Sequence, residues 1–177
     1  TTAMITHQRE EVLFDMIARG LALKHHSFNA IELDRGQLDP GTSPSLWVMM
    51  DKRCEASSQK KLVEYARKGG RLILIGRMCN QDSAQKPCLL LQEELGIVKC
   101  WSRPPYVERM IQSFDHTDIP VSFLETYEGR FDEVIATSLE GAVCGFIQTL
   151  GKGKVLVFGA TIPANTLEDL DLIQQMG

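Results

Sequence analysis

The apolar residues of this chain gather in short runs, separated by stretches in which they recur at helical spacing. Residues 46–50 read Leu-Trp-Val-Met-Met, and Leu-Ile-Leu-Ile follows Arg71. Neither run alternates, which is the pattern of strands covered on both faces, as in parallel sheets. Thr2 to Thr6 and Phe28 to Leu33 are shorter β-prone stretches. Between them Val12, Leu13, Met16 and Ile17 repeat as one helical face, with Thr6 placed to cap the helix and Glu10 and Glu11 in its first turn. Ser57 and Ser58 open a second helix with the stripe Leu62, Val63, Tyr65 and Ala66, and Gly69-Gly70 stops it. Pro87 suits the first turn of a third helix, Leu89 to Leu95 its apolar face, and Gly96 its end before the β-prone run Ile97 to Trp101. Strands alternating with helices of this length predict βαβ crossovers and an α/β domain with a mostly parallel sheet.

The last third changes character. Val134 to Thr137, Val143 to Leu150 and Lys154 to Gly159 are β-prone runs with no helix-length gap between them, so antiparallel pairing is expected, with Gly151-Lys152-Gly153 turning a C-terminal hairpin. A final helix is predicted from about Asn165 or Thr166, carrying Leu167, Leu170, Leu172 and Ile173. The stretch from Trp101 to Asp132, which contains Pro104-Pro105, shows no period that places it.

Composition narrows the function classes. With 177 residues, 44% hydrophobic and 24% charged, the chain can bury roughly 70% of its unfolded surface in one core without staples. Nineteen basic residues against 23 acidic ones are scattered, which is poor material for a phosphate-backbone binder. No run approaches the ~20 apolar residues of a membrane span, and the first residues do not form a secretory leader. The expected compartment is therefore cytoplasmic. Cys54, Cys79, Cys88, Cys100 and Cys144 are odd in number and widely spaced, so they are expected as reduced thiols. They share no ligand spacing with His7, His25, His26 or His116, and neither a metal nor a cofactor is expected.

Each candidate for chemistry has a plainer reading beside it. Gly151-Lys152-Gly153-Lys154 lacks the spacing and the following helix of a phosphate loop, and no Gly-x-Gly-x-x-Gly follows the first strand. Cys79 lies just past a central strand, where a nucleophile on a sharp turn would stand. A working thiol also needs a lowered pKa and a glycine-flanked elbow whose N–H groups form an oxyanion hole. Here the run is Gly76-Arg77-Met78-Cys79-Asn80-Gln81, which favours a packing cysteine. Asp115-His116-Thr117-Asp118 could tune a base, yet it reads as a polar loop before Pro120. The carboxylate pairs Glu10/Glu11, Glu93/Glu94 and Glu168/Asp169 sit at helix starts or on helix surfaces. Trp101 with Tyr106, beside Pro104-Pro105, is the one aromatic cluster that suggests a ligand or partner surface.

Three segments in order carry a resemblance: Leu62-Val-Glu-Tyr-Ala-Arg-Lys-Gly-Gly-Arg-Leu-Ile-Leu-Ile75, Leu90-Leu-Gln-Glu-Glu-Leu-Gly-Ile97 and Leu150-Gly-Lys-Gly-Lys-Val-Leu-Val-Phe-Gly159. Together they resemble the glutamine-amidotransferase-like accessory domain that follows the catalytic (β/α)8 barrel in family 42 β-galactosidases, with relatives in large family 35 enzymes. The resemblance implies a three-layer α/β sandwich with a mostly parallel, flavodoxin- or class I amidotransferase-like sheet and an antiparallel C-terminal hairpin, forming a single domain over residues 1–177. It implies a non-catalytic role in a glycosidase of carbohydrate metabolism, packing on the barrel of the same polypeptide and helping the parent to oligomerise. True amidotransferases of this fold carry Gly-x-Cys-x-Gly and a late His-Pro-Glu. Here Gly76-Arg77-Met78 and Gly159-Ala160-Thr161 stand in those places, so no catalytic residue carries over. The rival expectation is a free-standing cysteine amidotransferase or hydrolase using Cys79.

Overall fold

The computed structural model describes residues 2–5, 28–30, 33, 36–103, 110–113 and 116–161. The predicted helices around Val12 and after Asn165 lie outside the described residues. Five strands assemble the first half of a large sheet: β1 (Thr2–Ile5), β2 (Phe28–Ala30), β3 (Ser45–Met50), β4 (Arg71–Gly76) and, from the far end of the chain, β11 (Gly153–Phe158). They pair in parallel in the order β2-β1-β3-β4-β11.

The non-alternating runs are explained by burial on both faces. Leu46, Val48 and Met50 of β3, Leu72 and Leu74 of β4, and Val155 and Val157 of β11 join one core. The residues between them, Trp47, Met49, Ile73, Ile75, Leu156 and Phe158, join a second core on the opposite face. Two helices pack into the first core, α1 (Ala56–Arg67) through Leu62, Val63, Tyr65 and Ala66, and α2 (Leu90–Glu94) through Leu91. The predicted stripe of α1 is thus its buried face, although Glu55, not a serine, stands at its N-cap. Gly69 and Gly70 end it, the Gly70 N–H returning to the Tyr65 carbonyl at 3.1 Å. Pro87 falls outside α2, which is shorter than its sequence pattern predicts.

The expectation of a mostly parallel, flavodoxin-like sandwich is wrong. Beyond β11 the same sheet continues through β10 (Val143–Leu150), β9 (Glu133–Ser138), β6 (Met110–Ser113) and β7 (His116–Pro120), every step antiparallel. The nine-stranded sheet is therefore mixed, with four parallel and four antiparallel pairings. A second, antiparallel sheet has the order β12-β8-β5, from Ala160–Thr161, Phe123–Gly129 and Ile97–Ser102. The described residues are mainly strand. The physical reason is connection length: from residue 110 to residue 158 successive strands are separated by two to four residues, which permits antiparallel neighbours but not a parallel crossover.

The hairpin between β10 and β11 pairs Leu150 with Gly153, leaving a two-residue turn with Gly151 at φ +63°. That conformation is what the first position of such a turn requires, and a strand follows it, so no phosphate loop exists there. His116 lies in β7 rather than in the polar loop its neighbours suggest.

Candidate functional site

Strand β4 delivers the chain to the carboxyl end of the parallel half, the edge at which open α/β sheets bind ligands. The strand ends at Gly76, with φ +101°, and Arg77, Met78 and Cys79 follow. This is the elbow position identified in the sequence, and it is sealed. Cys79 is 0% exposed. Its thiol is pushed far above the ordinary range by a hydrogen bond with the Cys54 thiol and by burial, with Cys88 acting in the same direction. Two buried glutamines hold these loops together: Gln59 Nε2 donates to the Cys54 carbonyl at 2.8 Å and to Cys88 Sγ at 3.2 Å, and Gln92 Nε2 donates to the Cys79 carbonyl at 2.8 Å. A thiol held protonated and away from solvent is neither a nucleophile nor a metal ligand. None of the five cysteines is joined in a disulfide, and the described residues contain no cluster of three groups able to hold a metal.

What closes the elbow is a carboxylate. Glu125 lies on β8, buried, and the strand register sets it opposite Ser102 of β5. The Met78 N–H donates to its Oε1 at 2.7 Å, and the Ser102 hydroxyl donates to its Oε2 at 2.9 Å. Burial raises the Glu125 pKa, while the Met78 N–H, Ser102, Tyr127 and the Arg77 guanidinium oppose the shift by favouring the charged form. Arg77 itself lies over the Phe123 ring, 5.1 Å from its centroid. The Tyr127 hydroxyl is fully buried beside the carboxylate without closing a hydrogen bond of good geometry, and burial first, then Glu125, lifts its pKa well above the usual value. Tyr127 is held in place by an edge-on contact with Phe146, ring centroids 5.5 Å apart.

The late-strand position is closed as well. Gly159 donates to the Cys144 carbonyl at 2.7 Å and accepts the Glu125 N–H at 2.6 Å. A β-carbon here would stand 2.5 Å from the Tyr127 hydroxyl and 2.6 Å from the Glu125 carbonyl oxygen, so no histidine fits where an amidotransferase has one.

The aromatic candidate is open instead. Trp101 on β5 is 45% exposed and Val98, three residues earlier, 73%. Lys99 Nζ lies 5.8 Å from the Trp101 ring and 3.8 Å from a Glu128 carboxylate oxygen. Tyr106 lies outside the described residues. The structure therefore puts Cys79 and Trp101 in separate surroundings. Sequence reasoning missed Glu125, Ser102 and Tyr127, and the one available signal was a carboxylate inside the β-prone run Phe123-Leu-Glu-Thr-Tyr127.

Comparison with known proteins bears on the fold. A β-1,2-glucosyltransferase of Ignavibacterium album is 26% identical over 171 residues, which cover 95% of this chain and 24% of that protein. The structure resembles Gan42B, a family 42 β-galactosidase of G. stearothermophilus, with a TM-score of 0.81 at 12% identity over 99% of this chain and 29% of that one. A cytoplasmic protein of Salmonella typhimurium LT2 has the fold nearly alone, with a TM-score of 0.64 at 12% identity, covering 98% of this chain and 93% of that one. The chain thus spans about a quarter of the curated relative that it matches. The model of the family described as GLMA-like, second domain, matches residues 1–132, and the chain belongs to that family.

Proposed function

We propose that this chain is the non-catalytic accessory domain of a larger glycoside-processing enzyme, packed on the catalytic barrel of the same polypeptide. One observation carries the reading: the two places that match an amidotransferase's nucleophile and base hold Met78, buried beside the buried Cys79 thiol, and Gly159, which has no room for a side chain. The share of the relatives' length that the chain covers fits a part of a larger enzyme. In this reading residues 1–177 form a single domain, the parent is a β-galactosidase-type glycosidase of carbohydrate metabolism in the cytoplasm, and the domain contributes to self-association of the parent. Trp101 and Val98, with Tyr106 near them in sequence, form the partner surface, because exposed aromatic and aliphatic groups on a strand gain most from being covered.

The test has two arms. The chain alone should turn over neither a chromogenic β-galactoside nor glutamine, and Cys79→Ser should change neither result; glutaminase activity lost in Cys79→Ser would establish the rival cysteine enzyme. The full-length parent should hydrolyse the β-galactoside. A second reading of the parent, β-1,2-glucosyl transfer, is favoured by the 26% identity to the Ignavibacterium album protein. Formation of a β-1,2-linked glucoside without galactoside hydrolysis would select it.

A further inference from the structure

The exit of β4 has the construction of an anion site. Donors converge there from three elements: the Met78 N–H just past β4, the Ser102 hydroxyl on β5 and the Tyr127 hydroxyl on β8. The Arg77 guanidinium adds a positive field without forming an ion pair at contact distance with the carboxylate. Met78 and Ser102 serve different oxygens of the Glu125 carboxylate, and the fully buried Tyr127 hydroxyl remains a spare donor beside it. These N–H and O–H dipoles and the Arg77 charge offset part of the cost of burying the carboxylate, whose pKa burial still raises.

We infer that the exit of β4 is an anion-binding cradle which the chain fills with its own Glu125 carboxylate, and that the cradle takes a small free carboxylate, formate or acetate, once that side chain is shortened. Glu125→Ala removes the tethered carboxylate and leaves Met78, Ser102, Tyr127 and Arg77 in place. Formate matches the vacated group in charge, in planarity and in having two acceptor oxygens. Glu125→Gln leaves the cradle filled by an uncharged group of the same shape. The inference goes beyond the accessory-domain reading and does not depend on the activity of the parent.

The experiment uses the intact protein and its Glu125→Ala and Glu125→Gln variants at neutral pH, in sodium formate or in sodium chloride at equal ionic strength. Two quantities are read, hydrogen exchange at the Met78 amide and the midpoint of thermal unfolding. In Glu125→Ala, formate should slow Met78 exchange and raise the midpoint, saturably, while the wild type and Glu125→Gln respond to the two salts alike. An Ala variant indifferent to formate, or the same formate response in all three proteins, overturns the inference. Should Glu125→Ala not fold in chloride, recovery from denaturant decides in its place: a yield restored by formate but not by chloride supports the cradle, and equal yields sink it.

Discussion

The exit of β4 and the face of β5 are neighbours, joined by the hydrogen bond from Ser102 to Glu125, yet one is sealed and the other open. At the exit, everything that could do chemistry is turned inward: a protonated thiol against other thiols, a carboxylate held by internal donors, and a glycine crowded by a tyrosine hydroxyl. On β5, Trp101 and Val98 are left to solvent. Residues that can react are buried without access, and residues that can only bind are exposed. The difference teaches that a position which holds a nucleophile in one protein can be given over to packing in another.

The contrast breaks most directly at Gly159. If the late-strand position is closed by geometry, Gly159→Ala alone should destabilise the protein by about 3 kcal/mol, because its β-carbon meets both a backbone oxygen and a buried hydroxyl that cannot both retreat. Gly159→His, the change that would restore a base, should fail to yield folded protein. Equilibrium denaturation measures the first; an alanine variant as stable as the wild type would show that the exit has room and that its emptiness is incidental.

Much of this architecture was legible in the order of residues. Runs such as Leu46 to Met50 announced strands buried on two faces, since no alternation means no solvent side, and the Gly151 turn announced its hairpin. The extent of the antiparallel half escapes the sequence because it depends on β6 and β7, which, like β8 of the second sheet, lie in the stretch from Trp101 to Asp132. Strands there interleave exposed and buried positions, as Met110 to Ser113 does, and their polar residues read as loop. The elbow could be located but not its contents. Glu125 stands 47 positions along the chain from Met78, and no local pattern encodes so distant a partner. Burial of Cys79 was likewise a property of three converging loops rather than of its own segment.

A smaller effect is expected at Glu125. Its folded-state pKa is raised, so the folded chain binds the proton more tightly than the unfolded chain does. The sign follows from linkage: the favourable contribution of this group is complete below its unfolded value, roughly pH 4.3, and is lost as pH rises through the folded value. Arg77, Tyr127 and Cys100 are the titratable groups that share the site, and Tyr127 and Cys100 stay neutral through that range because their own pKa values are raised. Glu125→Gln should therefore gain stability relative to the wild type as pH is raised from acid to neutral, and at pH 7 it should lie within about 1.5 kcal/mol of it. A difference between the two proteins that is flat with pH would mean that Glu125 is not desolvated. Tyr127→Phe belongs to the same test. Because its hydroxyl closes no good hydrogen bond, its removal should cost less than about 1 kcal/mol, again by denaturation.

The smallest effect on folding is expected where the functional effect is proposed to be largest. Trp101→Ala removes a half-exposed ring that lies beside the Lys99 ammonium, so the stability of the chain should change by less than about 1 kcal/mol. The same substitution in the full-length parent should weaken the hold of this domain on its partner surface, since a large aromatic covered in an interface is among the residues whose truncation costs most. Limited proteolysis of the parent measures that hold as the rate of cleavage between domains, and sedimentation measures any loss of self-association. Faster cleavage or a lighter assembly, with an unchanged unfolding midpoint for the chain alone, separates a docking role from a folding role. If both readouts match the wild type, β5 is not the working face, and the open side of the comparison has been misassigned.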